Sequence, residues 1–345
     1  MIPKSNLYAS CKVDKKGYLV EIKEKHQFNN DKTKDLYSPG LYYFKTGKIL
    51  KKYCKKMIKA KDYHQKLQDE IEESADIEFI TDEIRKIDPV TMKAKGLKKS
   101  YGATHFFDSR VDPSYLESKK HTTIFQHFKG WEVETEKPVF TPDSFTMMDY
   151  RIKYPDATAF TYILPFTEKK ALVEYTFFSP FLTEDKVYDE MLQQYFEKIL
   201  KTKDFQIKST ETGVIPMTDF PFDKANTEQI TKIGTGGGWV KPSTGYSFKN
   251  TEKRIGKIIE NIKSGKLPGE NLINNKFRKY DAIFLDVLAQ NNQKGEEIFT
   301  KFYKKNSPQD IFRYLDEETS VSEDLKIMLS LYSFDFVTSF FRKTF

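Results

Sequence analysis

One carboxylic acid interrupts an otherwise apolar run in this chain. In ALVEYTFF (171–178), Glu174 is the only charged residue. The run reads as a strand, and alternation puts Leu172, Glu174 and Thr176 on one face and Ala171, Val173, Tyr175 and Phe177 on the other. If the first face lines a pocket, the acid is desolvated, its pKa rises, and it can hold and deliver a proton near neutral pH. If that face is solvated, Glu174 is an ordinary surface acid. MMDYR (147–151) supplies a second candidate. Asp149 and Arg151 lie two apart, hence on one strand face, and can pair beneath a pocket or on the surface. GVIPM (213–217), bracketed by Gly213 and Pro216, reads as a strand ending in a turn. GTGGGWVKPSTGYSF (234–248) holds the densest glycine cluster. Backbone N–H groups at such a turn can cradle a phosphate or approach a flat ring, and the same glycines also suit a plain connection. The run is not a GxGxxG fingerprint, because Trp239 fills the third glycine's place.

Other catalytic signatures are absent. No GxxxxGK[ST], HExxH or GxSxG string occurs. The five histidines (26, 64, 105, 121 and 127) are scattered, and Cys11 and Cys54 form no CxxC, so no metal site is expected.

The elements that would position these residues change character along the chain. Residues 1–40 are polar and irregular, with KHQFNNDKTKDLYSPG (25–40) as loop and turn. Helical spacing predicts a helix from Lys48 to about Glu73. IEFI (77–80), EIRKI (83–87) and ATHFFDSR (103–110) read as short strands. FQHFKGWEVET (125–135), FTMMDYRI (145–152), ATAFTYIL (157–164) and ALVEYTFF follow at the spacing of an antiparallel sheet. A helix from Glu184 to Leu200 is predicted with Thr183 as N-cap and Val187, Met191, Tyr195 and Ile199 as its apolar stripe. Strands at 205–217 and 230–233 come next. A helix over 251–263 then carries Ile255, Ile258, Ile259 and Ile262. Residues 270–345 read as helical, broken near Asn291-Asn292 and Asn306-Ser307-Pro308. The class is α+β, with the sheet as the floor of a pocket.

Composition narrows the partners. The chain has 345 residues, 57 basic and 50 acidic, for a net charge of +7. Aromatic residues make up 15%, enough to line a large core or an apolar pocket. No apolar run reaches the ~18–20 residues of a membrane helix. The N-terminus lacks a secretory h-region, so a cytoplasmic location is expected. The evenly spread basic surface suits solvent or an anionic membrane surface, and nucleic acid little.

Seven segments, in order, resemble the flavin-dependent lycopene cyclase family, in particular its bacterial lycopene β-cyclases. They are FFDSR (106–110), QHFKGWEVET (126–135), FTMMDYR (145–151), FTYILPF (160–166), ALVEYT (171–176), GVIPM (213–217) and GTGGGWVKPSTGYSF (234–248). The likeness covers roughly 41–345. It implies a flavoprotein-monooxygenase-like fold. Residues 1–40 have no family match, and 41–124 would be a remnant of the FAD-binding Rossmann-type domain. Residues 125–229 would form an antiparallel-sheet substrate domain, 230–265 would return to the FAD domain, and 266–345 would form a helical C-terminal region. The family's initial strand, GxGxxG and helix are absent, as is its DRTW-like string, so an incomplete FAD-binding domain is expected.

The implied reaction is a redox-neutral, acid-catalysed cyclisation of lycopene ψ-ends to β-ionone rings. It uses reduced FAD, with NAD(P)H as external reductant. Glu174 matches the family's essential acid, and Asp149 matches the acid of its MD[FWY]R string. Gly234, Gly236, Gly237, Gly238, Pro242, Ser243, Thr244 and Gly245 match the stretch that runs past the flavin, and Arg151, Pro216, Met217 and Tyr246 fall to the substrate pocket. The partners implied are a carotenoid and, peripherally, a membrane surface. Two other readings stand beside this one: a non-catalytic or truncated relative that binds a polyene or a partner without turnover, and a different FAD enzyme of the same fold.

Overall fold

Thirteen residues from Thr123 to Thr135, TIFQHFKGWEVET, run unbroken through the middle of the molecule as strand β6. The computed structural model describes residues 10–11, 77–78, 80–142 and 144–345. Apart from residues 10–11, the polar segment 1–40, the helix predicted at 48–73, His26, His64 and Cys54 lie outside that range. So does one residue of the IEFI strand, and its described residues 77–78 and 80 join no strand.

Before β6 come β1 (Ser10–Cys11), β2 (Ile84–Asp88), β3 (Lys93–Gly96), β4 (Ser100–Gly102) and β5 (Phe106–Asp108). After it come β7 (Thr146–Asp149), β8 (Thr158–Pro165), β9 (Lys170–Ser179), helix α1 (Asp185–Tyr195), β10 (Phe205–Thr218) and β11 (Ile230–Lys232). Six helices close the chain: α2 (Phe248–Lys263), α3 (Asn275–Gln290), α4 (Gly295–Lys305), α5 (Pro308–Leu315), α6 (Val321–Ser330) and α7 (Phe334–Thr344). The class is α+β.

The central sheet has the order β10-β6-β9-β8-β7 and is antiparallel throughout. Its two faces carry two separate cores, as strict alternation of side chains requires. On one face, Ile124, Phe160, Phe178 and Met217 pack under Phe277, Phe284, Leu285 and Phe299 of the C-terminal helices. On the other, Trp131, Val133, Val173, Tyr175 and Phe177 pack against Tyr188, Leu192, Tyr195 and Phe196. Each fully buried aromatic contributes about 1.5–3 kcal/mol, so both layers are fixed to the sheet. Lys129 adds a polar anchor on the second face, reaching Asp185 at 2.7 Å and Asp189 at 2.8 Å on α1.

Helices α1 and α2 differ from the sequence pattern in their ends and in their buried faces. The α-helical turns of α1 end at Tyr195, and residues Phe196–Leu200 continue as a wider π-type turn that stops at Lys201 with φ 53°. Its N-cap is Glu184 rather than Thr183, with no side-chain cap bond. Its buried stripe is Tyr188, Leu192 and Tyr195, leaving Val187, Met191 and Ile199 at the edge. Helix α2 begins at Phe248, earlier than the apolar pattern indicates. Its buried line is Asn250, Arg254, Ile258 and Asn261, while Ile259 is exposed. The helical tail breaks where the asparagines and Pro308 predict, with Ser307 capping α5, and it also breaks at 316–320 and 331–333, where the sequence pattern indicates no break.

Strand β11 pairs with β5 in parallel, bringing the chain after residue 229 back to the segment that precedes β6. A buried charge network locks this junction. Asp108 accepts from Arg110 Nε at 2.8 Å and from Lys232 Nζ at 2.9 Å. Burial alone would raise the Asp108 pKa, but the two cations outweigh it and hold the carboxyl below its ordinary value.

Candidate functional site

Alternation in β9 places Glu174 as the sequence indicates. Ala171, Val173, Tyr175 and Phe177 are fully buried against α1, and Glu174 points the other way. Its cross-strand partners are Tyr162 on β8 and Gly130 on β6. Gly130 in turn faces Glu211 on β10. The row Tyr162–Glu174–Gly130–Glu211 therefore crosses four strands on a single face.

Glu174 is half-buried, and the Thr176 hydroxyl donates to its Oε1 at 2.5 Å. Desolvation, reinforced by the nearby charge of Glu211 and opposed by the Thr176 bond, pushes its pKa up to about 8. Glu211 is raised to about 7 by burial and by the charge of Glu132. Neither acid forms an ion pair among the described residues. A carboxyl pushed up to about 8, with a second at about 7 on the same sheet face, is a group able to give up a proton near neutral pH.

The sequence reading did not include Glu211. Its only local signal is an acid in the strand-like FQIKSTETGVIPM, where Ser and Thr around it make it resemble solvated surface. The partnership needs the β10–β6–β9 register, which local patterns do not contain.

The second predicted acid lies elsewhere. Asp149 pairs with Thr161 on β8, so it projects from the face opposite Glu174. Tyr195 of α1 donates to Asp149 Oδ2 at 2.7 Å, and Arg151 Nε lies 2.9 Å from both carboxylate oxygens. Burial would raise its pKa, but Arg151 and Tyr195 outweigh burial and hold it below the ordinary carboxylate value. Strand β7 stops at Asp149, and the exposed Arg151 folds back from the following turn. The structure thus sets Asp149 in a structural ion pair and does not bring Asp149 or Arg151 to Glu174.

GVIPM is the end of β10. A Cβ at Gly213 would lie 2.6 Å from Phe128 Cζ, so glycine makes room for that ring. Pro216 is buried, and Met217 is fully buried in the core beneath the helices, not at a cavity wall.

The glycine turn follows β11. Gly234 and Gly238 have φ of 57° and 71°, which explains glycine there. Gly236 and Gly237 serve packing inside the chain. A Cβ at Gly236 would lie 2.4 Å from the Arg110 carbonyl oxygen, and one at Gly237 would lie 2.5 Å from that of Lys232. The amides of Gly237, Gly238 and Trp239 donate to Ile233, Thr235 and Gly234, so they are not free to cradle a phosphate. In the following turn, Ser243 donates to Asp281 Oδ1 at 2.5 Å, and Asp281 also binds buried Lys241 at 2.9 Å. Gly245, with φ 70°, sits against Gln126 of β6. Gln126 is on the same strand face as Gly130, so this turn covers the Glu174 face about 13 Å along the strand, at four residues of rise. Tyr246 is buried beside it.

Four buried polar atoms in this segment have no hydrogen-bond partner: Trp239 Nε1, Thr244 Oγ1, Asn250 Nδ2 and Arg254 Nη1. Such orphans are rare in folded proteins, and three of these are donors. Arg254 is only 8% exposed. With Gly237, Gly238, Val240 and Pro242 it lines a cavity of about 30 Å³. That volume accepts a small group or an edge of a larger ligand. Asp219, Asp223, Asp281 and Glu317 line the same cavity, and Trp239 and Asn250 do not, so the free Nη1 of Arg254 fits a single acceptor atom at the edge of a ligand such as a flavin, and the glycine amides do not contribute.

His127, the most deeply buried histidine of those described, is not part of this site. It stacks on Phe177 and bonds to Ser179 Oγ at 2.7 Å. Burial depresses its pKa to about 4, so it is a neutral core residue.

A family model described as lycopene cyclase protein matches residues 39–343. The chain belongs to the lycopene cyclase family. No curated protein matches it. Among solved structures, the chain is similar to a geranylgeranyl bacteriochlorophyll reductase-like protein from Thermoplasma acidophilum, at 13% identity and a TM-score of 0.39 over 74% of this chain and 67% of that one. It is also similar to the flavin-dependent brominase Bmp2, at 13% identity and a TM-score of 0.35 over 74% and 65%. The chain thus spans about two thirds of the length of each. Among the described residues of this cyclase-family chain, no helix is long and apolar enough to cross a membrane.

Proposed function

We propose that the chain is a carotenoid cyclase that closes ψ-ends of lycopene into β-ionone rings by acid catalysis, with Glu174 as proton donor. The observation that carries this is a half-buried acid, set among Tyr162, Leu172 and Thr176, whose pKa burial pushes up to about 8. Protonation of a polyene end needs an acid that is neutral at working pH and held where water does not level it. The added proton makes a carbocation, the ring closes, and a ring proton leaves. One proton is gained and one lost, so no redox equivalents are consumed.

Arg254 would hold an acceptor atom of the flavin on the side of the described residues, through the donor it leaves unpaired at the cavity. Bound FAD in its reduced, electron-rich form would supply negative charge beside the cation, with NAD(P)H as its reductant. The polyene is a membrane solute. Helix α6 presents Val321, Leu325 and Leu329 outward in one stripe, and α7 and its end present Phe334, Phe341 and Phe345. Exposed apolar side chains of this kind on two helices support peripheral contact with a bilayer.

The test is direct. Purified chain supplied with lycopene, FAD and a reductant is expected to yield β- or γ-carotene on chromatography. Glu174→Gln should lower the yield at least about 100-fold while leaving the circular dichroism unchanged. Carotenoid binding without product would favour the non-catalytic relative. A product of altered oxidation level would favour a redox enzyme.

A further inference from the structure

The row across the sheet holds a second acid whose placement depends on a missing side chain. A Cβ at Gly130 would lie 3.0 Å from Glu211 Cγ and 3.2 Å from Glu211 Oε1. The Glu211 side chain therefore lies against the bare backbone of β6, tightly enough that a side chain at 130 would crowd it. On the far side of that backbone, one strand spacing of about 4.8 Å away, stands Glu174. Four groups that can carry charge or a proton project from this sheet face: Tyr162 from β8, Glu174 from β9, Glu211 from β10 and, two residues along β6 from Gly130 and exposed, Glu132. Ser209 donates to Glu132 at 3.0 Å. Among the described residues no cation pairs with Glu132, Glu174 or Glu211.

We propose that Glu211, laid across Gly130, is a positioning residue for Glu174: it keeps the proton on that acid by placing a second carboxyl beside it with no cation between. Two such carboxyls do not ionise independently. Whichever loses its proton first raises the cost of the second loss, and the pair titrates as a unit. The upward displacement of Glu174, caused first by burial and then by the charge of Glu211, agrees with this geometry. Gly130 is part of the device, because a methyl group there would crowd Glu211 and Leu172 Cδ1, both 3.0 Å away, and make the Glu211 side chain shift. The inference rests on the reading of Glu174 as the acid, but the coupling can be measured without turnover.

The experiment is a titration of carbon-13-labelled glutamate in the full chain by NMR, with the Glu174 resonance assigned by its loss in Glu174→Gln. In Glu211→Gln, the Glu174 midpoint is expected to move down by at least about half a pH unit. Gly130→Ala, which leaves both acids in place but displaces one, is expected to move it in the same direction by less. If cyclisation is observed, the alkaline limb of its pH profile should move with the midpoint. An unchanged midpoint in Glu211→Gln overturns the proposal. So does a Gly130→Ala variant that moves the midpoint upward. If Glu211→Gln does not fold, the Gly130→Ala result decides alone. Absence of carotenoid product would count against the acid-catalyst reading and leave the titration result standing.

Discussion

Asp149 and Glu174 project from opposite faces of the same sheet. Asp149 pairs with Thr161, whose neighbour Tyr162 pairs with Glu174. One residue of offset along β8 thus separates an ionised, ion-paired carboxylate from a neutral one. The separation follows from strand alternation, and it assigns the two acids different work. Asp149 ties the sheet edge to α1 through Tyr195, and Glu174 faces the side covered by the glycine-rich turn.

If Asp149 is structural, Asp149→Asn should cost stability without removing any acid chemistry. The neutral amide loses the Arg151 fork and weakens the Tyr195 bond, a loss of about 1–3 kcal/mol. The folded-state pKa of Asp149 is depressed. Its contribution is therefore present above the unfolded value near 3.9 and is lost as pH falls through the folded value. Urea midpoints of wild type and variant should differ at pH 7 and converge below about pH 4. Equal midpoints at pH 7, or a variant that folds normally yet forms no ring, would reassign Asp149 to the chemistry.

Glu174 and Glu211 carry the opposite sign. Their folded pKa values, about 8 and about 7, lie above the unfolded value near 4.3. The stability they contribute is complete below that unfolded value and is lost as pH rises through 7 and 8. Wild type should therefore unfold at lower urea at pH 9 than at pH 5, by a difference on the order of 1–3 kcal/mol. The Glu174→Gln, Glu211→Gln double variant should show a flatter dependence. A double variant as pH-sensitive as wild type would place the effect in other groups.

Much of this was legible in the residues alone, for a definite reason. Strand β9 is apolar on one face, so alternation in ALVEYTFF shows which residues are buried and leaves Glu174 on the other side. Pro308 and the asparagine pairs break the helical tail because of their backbone chemistry. Pairings between distant strands were not legible. Glu174, Gly130 and Glu211 meet only through register. Asp149 and Arg151 fit a two-apart strand pattern, but the strand ends at Asp149 and their contact forms through a turn. In α2 the isoleucines mask the polar line Asn250, Arg254 and Asn261 that is in fact buried. An apolar-face rule assigns such residues to solvent.

That polar line carries the third prediction. Arg254 Nε donates to the Leu272 carbonyl at 3.3 Å, its Nη2 lies 3.9 Å from Glu317, and its Nη1 has no partner. A buried, under-paired guanidinium does little for the fold. Arg254→Met should change the unfolding free energy by no more than about 1 kcal/mol. If the unpaired donor serves a flavin, the same change should weaken FAD binding at least about tenfold, the value of a charge-assisted hydrogen bond. Fluorescence titration with FAD and a thermal melt on the same samples separate the two effects. A variant that binds FAD as wild type does, or one whose loss of binding tracks a loss of fold, would remove Arg254 from the cofactor site.

The outward apolar stripe gives the last prediction. Leu329, Phe334 and Phe341 are 70%, 83% and 57% exposed. Residues so exposed contribute little to folding, and their presence on adjacent helices is costly in water. Exchanging all three for serine should leave the thermal midpoint within a few degrees of wild type. Partition into anionic lipid vesicles should behave differently. Each large apolar side chain that enters the interface contributes about 1.5–3 kcal/mol at full burial, and partial insertion of three would still amount to about 3 kcal/mol, or roughly a hundredfold in partition. Co-sedimentation of both proteins with vesicles across a salt series reads this directly. Apolar insertion survives high salt, whereas attraction between the chain's excess of basic residues and anionic lipid is screened away. Equal sedimentation of wild type and the triple variant at high salt would mean that α6 and α7 do not enter the bilayer, and the polyene would have to reach the Glu174 face by another side of the molecule.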